Sequence, residues 1–351
     1  MKTLIKITVF TLLIILLLGL KGANAHDEYT KVIKKEFPIP PDGQLIINNK
    51  FGKVHCNNWD KNAVSFEITV TADAVSEKAA TQMLDQVDFV FNIYPTQVEA
   101  KTRFSENGSR EKSNIRIDYV VNMPVGVNLN LTNKFGDIYI NEIMGSTKII
   151  LGFGNLEANK LGNSDNQLEM EFSKANVNWI KGAVVNLKYS EMDIQYAGSL
   201  YLDSKFSNLE ASKIISLNMN FEGGTLDMEN SSSVKSKSKF STLDIGRIDK
   251  SLNLDIQYGN CHIHEMPVDF TSIVINNKFG DVSIGIDEKA SYRLDAELKF
   301  CDLDYASEHS KFSLRSISPT EKILKGTIGT ENENPEAKVQ VRSEYGNVSL
   351  K

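Results

Sequence analysis

Cysteine is scarce in this chain of 351 residues: Cys56, Cys261 and Cys301 are all there are. An odd number with no close spacing is neither a disulfide framework nor a zinc pattern. The three read as small, mostly buried side chains. Basic charge is also short, with 39 Lys and Arg against 45 Asp and Glu, a formal net charge of -6. An acidic chain has no electrostatic reason to seek nucleic acid or anionic lipid. Long apolar runs are limited to one, Ile7 to Leu18, broken only by Thr8 and Thr11. Lys2 and Lys6 precede it and Ala23-Asn24-Ala25 follows, which predicts a secretory signal peptide over residues 1–25. No Cys follows the cleavage site, so a lipoprotein route is not expected. Without a second such run the mature form has no stable membrane span. A nucleophile elbow, a phosphate loop and HExxH are missing too, so no catalytic, cofactor-binding or metal residue is assigned.

What is present is alternation. Apolar content is 41%, ordinary for a folded chain. Residues 26–38 read as charged and frayed, and Pro38 to Gly43 as a turn. Strands are predicted over Leu45 to Phe51, Ser65 to Ala72, Phe89 to Tyr94, Gln97 to Phe104 and Ile115 to Asn122, with a polar loop from Ser105 to Ser113. One helix is predicted over 74–87, with Val75, Ala79, Met83 and Val87 on one face and Asp73 or Ser76 as its cap.

A repeat then takes over. Asn133-Lys134-Phe135-Gly136-Asp137-Ile138 returns as Asn277-Lys278-Phe279-Gly280-Asp281-Val282 and appears earlier as Asn49-Lys50-Phe51-Gly52-Lys53-Val54. Its aromatic recurs at Phe135, Phe153, Phe172, Tyr189, Phe206, Phe221, Phe240, Tyr258, Phe279 and Phe300, roughly every 18 residues. Numbering the aromatic zero, apolar residues fall at -6, -4, -2, +3 and +5, and +1 is Gly at 52, 136, 154, 259, 280 and 346 and Ser at 173, 190, 207 and 241. Even spacing keeps one face inward along a strand. The odd step between zero and +3 demands a bend. The sequence reading puts that bend at +1 and +2, where Gly tolerates sharp corners, and puts the aromatic in the core. Units this short cannot close a core alone and must stack.

The expected fold is therefore all-β: a parallel β-solenoid (β-helix) with units of about 18 residues over 126–351. Residues 26–125 form an N-terminal strand-helix-strand region that caps it. Ala306 to Ala337 breaks the pattern, which returns from Val339 to Leu350. The leader, the strand-helix-strand segment, the strand ending Val121-Asn122-Met123-Pro124-Val125-Gly126 and the serial Lys-Phe-Gly-Asp corners have a known counterpart. Together they resemble the exported adhesin-like β-solenoid proteins of Bacteroidetes-type bacteria, a group of unknown function. The resemblance implies a periplasmic or cell-surface location in the envelope. It carries no catalytic residue across.

Candidate surface contacts are the outward positions of the repeat: Lys134, Asp137, Lys188, Lys205, Lys239, Lys278, Asp281 and Lys299. A line of Lys suits an acidic glycan, but it equally suits a solvated face that discourages edge pairing. His262 and His264 share an outward face, as two metal ligands would, and lack an evident third. Asn49, Asn133 and Asn277, inward at -2, are expected to satisfy backbone groups at the corner. Cys261 and Cys301, in different columns two units apart, are too distant for a disulfide. The expectation for function is a non-enzymatic structural or binding module whose partner is an envelope protein or a glycan. Its rivals are a periplasmic regulatory or sensing component docking through the helix region, and a carbohydrate-active enzyme. The short turns and scattered acids argue against the enzyme.

Overall fold

The structure, a computed structural model, describes residues 27–105, 114–329 and 334–351. The expected leader, most of the 105–113 loop and part of the acidic loop after Gly329 lie outside the described residues. The chain is all-β: 24 strands, one α-helix and one 3-10 turn are described. No helix among the described residues is long and apolar enough to cross a membrane. The chain divides into two compact units, residues 1–139 and 140–351.

The first unit contains β1 (Asp27–Pro38), β2 (Gln44–Lys50), β3 (Val54–Asn58) and β4 (Ala63–Ala74), then α1 (Glu77–Leu84). It continues with β5 (Val87–Tyr94), β6 (Gln97–Phe104), β7 (Ile115–Met123) and β8 (Asn128–Lys134). Residues 27–38, expected to be frayed, form a full strand. β1 runs antiparallel to β4 through twelve paired positions, and Phe37 packs on Phe66 and Phe91. The charges of β1 stay exposed or half-exposed on both of its faces, and pairing with β4 holds the backbone. The helix is shorter than the predicted 74–87. Ala74 is buried in β4 and Val87 in β5, and Val75 is exposed. Strand pairing therefore claims both ends of the apolar pattern. Ser76 caps the remainder, its Oγ accepting from Ala79 N at 3.3 Å. Within this unit β2 lies parallel between β8 and β6, with Leu45 opposite both Leu129 and Val98. β6 then pairs antiparallel with β5, which ends the parallel run.

The second unit begins in β9 (Ile138–Ile143). β10 (Thr147–Gly152), β11 (Asn155–Leu161), β12 (Asn166–Glu171), β13 (Lys174–Lys188), β14 (Glu191–Lys205) and the long β15 (Asn208–Gln257) follow. Next come β16 (Asn260–Met266), β17 (Ser272–Lys278), β18 (Val282–Ile286), β19 (Tyr292–Lys299), β20 (Leu303–Tyr305), β21 (Ser310–Ile317), β22 (Glu321–Ile328), β23 (Lys338–Glu344) and β24 (Val348–Leu350). Parallel pairing keeps the repeat in register. The -1 residues Gly152, Glu171, Lys188, Lys205 and Glu222 lie opposite one another in turn. So do the +3 residues Leu156, Ala175, Met192 and Leu209, all buried.

Two features depart from the expected order. The returning pattern after Val339 does not extend the array at its end. β23 inserts between β17 and β19, parallel to both, and β24 joins β18 and β20. β21 and β22, not foreseen as strands, form an antiparallel hairpin against β19. That switch from parallel to antiparallel pairing closes the run.

Candidate functional site

The aromatic at position zero does not enter the core. All eleven non-glycine residues with positive φ among the described residues are the Phe or Tyr of the repeat, at +48° to +64°. One left-handed residue rotates the chain so that -1 and zero both face solvent and +1 faces inward. The bend is thus at zero, and the parity count alone put it one residue late. Chain connectivity survives the bend: Phe172 N donates to Lys188 O at 3.0 Å and Tyr189 N to Lys205 O at 3.0 Å. The left-handed conformation costs about 1–2 kcal/mol for a residue with a Cβ. Ring stacking offsets about 0.5–1.5 kcal/mol of it.

In the second unit those rings form two stacked runs on the outside. Phe153, Phe172, Tyr189 and Phe206 make the first; Phe240, Tyr258, Phe279, Tyr345 and Phe300 make the second. Neighbouring centroids lie 5.0–5.4 Å apart with planes within 1–13°. The ten ladder rings of the chain apart from Phe51 are 40–62% exposed. Tyr345 sits between Phe279 and Phe300, so the inserted β23 carries the ladder through the switch in chain order.

Phe221 is the exception, and the aromatic count misplaces it. It lies opposite Ser204, two residues before the corner, and is buried at 2% exposure. The corner of that turn is Gly223, φ +68°, which aligns with Phe206. The ladder therefore lacks one ring, between Phe206 and Phe240.

Inside the corner, +1 is small because of close approach and not because of its own φ. A Cβ on Gly280 would lie 1.9 Å from Gly259 O, and one on Gly136 2.0 Å from Gly52 O. Where Ser replaces Gly, its hydroxyl is used. Ser190 Oγ donates to Lys188 O at 2.8 Å, and Ser207 Oγ accepts from Ser190 N at 3.0 Å. The asparagines at -2 act as expected: Asn133 Nδ2 donates to Gly52 O at 2.9 Å, and Asn277 Nδ2 to Gly280 O at 2.5 Å.

Lys134, Lys188, Lys205, Lys239, Lys278, Asp281, Lys299, His262 and His264 are exposed, and Asp137 is half-buried. The lysines of the second unit are partly neutralised, Lys205 by Glu222 at 3.9 Å and Lys278 by Glu344 at 3.1 Å. Asp137 lies 3.7 Å from Lys53. His262 and His264 touch edge to face at 4.2 Å, and His264 Nε2 is 2.7 Å from Asp244 Oδ1. No group of three or more His, Cys, Asp or Glu among the described residues is placed to hold a metal ion.

His262 borders a groove of about 570 Å³ beside the second ring run, and His264 does not line it. Its first row is Asn260, Asp281, Asn347 and Asp302, two residues past the rings; Asp244, His262 and Asp304 stand behind it. The row is built by hydrogen bonds from each rung to the last. Asp281 N donates to Asn260 Oδ1, Asn347 N to Asp281 Oδ1 and Asp302 N to Asn347 Oδ1, at 3.0–3.2 Å. Asp304 pairs with Lys351 at 2.5 Å, and Asp302 with Lys322. Single-sequence reading scored these acids as scattered because strand insertion, which brings Asn347 between Asp281 and Asp302, leaves no local signal. The same insertion puts one rung more than expected between Cys261 and Cys301. All three cysteines are free, and burial pushes the Cys56 and Cys261 thiols up to about 12. Cys56 and Cys261 are thus packing groups.

No protein-family model matches the chain. No curated protein matches it either. Several solved structures are similar at very low identity. A provisionally named adhesin from Bacteroides fragilis is 11% identical, with 92% of this chain and 97% of that one covered and a TM-score of 0.25. A provisionally named cell adhesion protein from Clostridium sporogenes is 8% identical, covering 92% and 99%, at 0.20. A provisionally named lipid-binding protein from Parabacteroides distasonis is 9% identical, covering 91% and 96%, at 0.28. At these scores the functional reading rests on the residues of this chain.

Proposed function

We propose that this chain is an exported, non-enzymatic β-solenoid that serves the bacterial cell envelope as an adhesin-like binding module, and that its ligand is a glycan. The solenoid reading is supported by the parallel register within the second unit, where each strand is offset from the last by about one repeat. The binding reading is carried by one observation above the rest. A stripe of exposed aromatic rings runs beside a groove whose walls offer carboxylate, amide and hydroxyl groups. Sugars are recognised by that combination, apolar C–H faces on rings and hydroxyls on polar side chains. The ladder's own stacking uses most of the ring faces, so the sugar would stack where a face is left uncovered, on a ring already ordered by its other neighbour.

The test is a glycan array probed with the purified chain, run beside an assay for new reducing ends on every glycan that binds. Binding without turnover is expected. Release of reducing ends would replace this reading with a carbohydrate-active enzyme, and a blank array would remove the glycan.

A further inference from the structure

Stacked rings cover one another. Along most of the ladder each face is closed by its neighbours at 5.0–5.4 Å, and only ring edges meet solvent. A pyranose stacks on a ring face, not an edge. Between the two runs of the second unit the ladder breaks at Gly223, where the corner carries no side chain. Phe206 leans over the glycine: a Cβ there would lie 2.8 Å from its Cδ1. The face left open is therefore that of Phe240. Its other face stacks on Tyr258, and it is the most exposed ring of the ladder at 62%.

The charge beside this face is not balanced. Lys205, Glu222, Lys239 and Gln257 hold successive -1 positions. Glu222 pairs with Lys205 at 3.9 Å, whereas Lys239 has no ion-pair partner among the described residues. One positive charge is left next to the open ring. Building on the glycan reading above, we propose that the Phe240 face across Gly223 is the sugar-stacking subsite of the stripe, and that it takes an acidic pyranose whose carboxylate meets Lys239.

Calorimetric titration with trigalacturonate and with neutral galactotriose tests this. The wild-type chain is expected to prefer trigalacturonate. Phe240→Ala should weaken binding about tenfold or more, the loss of one stacking platform with its desolvated contacts. Gly223→Phe should do the same by closing the face. It suits the backbone, because the other corners hold Phe or Tyr at similar φ. Lys239→Gln should erase the preference for the acidic sugar. Phe172→Ala, within the covered run, should change affinity less than about twofold. Melting temperatures check folding, and if Gly223→Phe unfolds, Phe240→Ala decides alone. Unchanged binding by Phe240→Ala and Lys239→Gln overturns the subsite, as does a wild-type chain that ignores trigalacturonate or prefers galactotriose. In those cases a positive array still upholds the glycan reading; a blank array ends both.

Discussion

A Phe or Tyr with positive φ is an expensive corner, and this chain builds eleven of them among its described residues. The strain and the stacking can be separated by substitution. Tyr189→Ala removes the ring and keeps a Cβ in the left-handed region, so a loss of about 1–2 kcal/mol is expected. Tyr189→Gly also removes the ring but relieves the strain, less the greater freedom of Gly in the unfolded chain. Urea denaturation should therefore find the Gly variant the more stable of the two, by roughly 0.5 kcal/mol or more. The reverse order would mean that the corner is not strained. The small residue at +1 makes a second claim. Gly280→Ser imitates Ser190 of the same +1 column, yet its Cβ would press on Gly259 O. A loss of about 1–3 kcal/mol is expected, read by the same method. Sequence shows both the aromatic and its small neighbour but not the sign of φ. Parity locates a break in alternation only to within a residue, and that residue decides whether Phe135 is core or surface.

At the level of the strand, register overrules residue type. Phe221 falls near the expected period, but Glu222 and not a small residue follows it, and its pairing with Ser204 puts it inside. Its bulk fits because small residues flank it in the -2 column, Ser204 before it and Ser238 after it, both buried. Phe221→Ala would leave a cavity that two serines cannot fill, and should destabilise by about 3–5 kcal/mol in chemical denaturation. Ser238 Oγ is buried without a hydrogen-bond partner. Ser238→Ala should be neutral or stabilising by about 1 kcal/mol, since it removes an unsatisfied hydroxyl. A clue to this was in the sequence: Gly223 stands midway between Phe206 and Phe240. The insertion of β23 had no such clue, because the residues of β17, β19 and β23 fit the same slot equally well and only the folded chain chooses their order. The leading strand β1 was missed for a related reason, as its charges concealed a backbone that pairs with β4.

Across the second unit, the inserted strand is tied to its neighbour by charge as well as by pairing. Arg342 of β23 reaches Asp295 at 3.1 Å and Glu297 at 3.2 Å, both on β19. Burial pushes the Asp295 carboxyl up, but hydrogen bonds from Arg342 and Lys325 outweigh it and hold the group below the usual carboxylate range. A depressed pKa gives stability that is present above the unfolded value, about 3.9, and is lost as pH falls through the folded one. Wild type should thus melt above Asp295→Asn at neutral pH, and the two should converge in acid once the pH falls below the folded pKa. A constant gap would show that Asp295 does not titrate against Arg342.

The alternation of apolar residues made the all-β class legible from sequence, and the period made the stacking legible. The outward ladder and the groove were not, because both arise from φ and from strands distant in sequence. The outward ladder is also the claim on which the proposed function depends most. Tyrosine nitration followed by peptide mass spectrometry tests it directly. Tyr189, Tyr258 and Tyr345 are ladder rings about half exposed, whereas Tyr119 and Tyr292 are buried, and burial raises their phenol pKa. Mild tetranitromethane treatment of the native chain should modify the first three and spare the other two. Protection of Tyr189, Tyr258 and Tyr345 to the level of Tyr119 would place the ladder in the core and contradict the account.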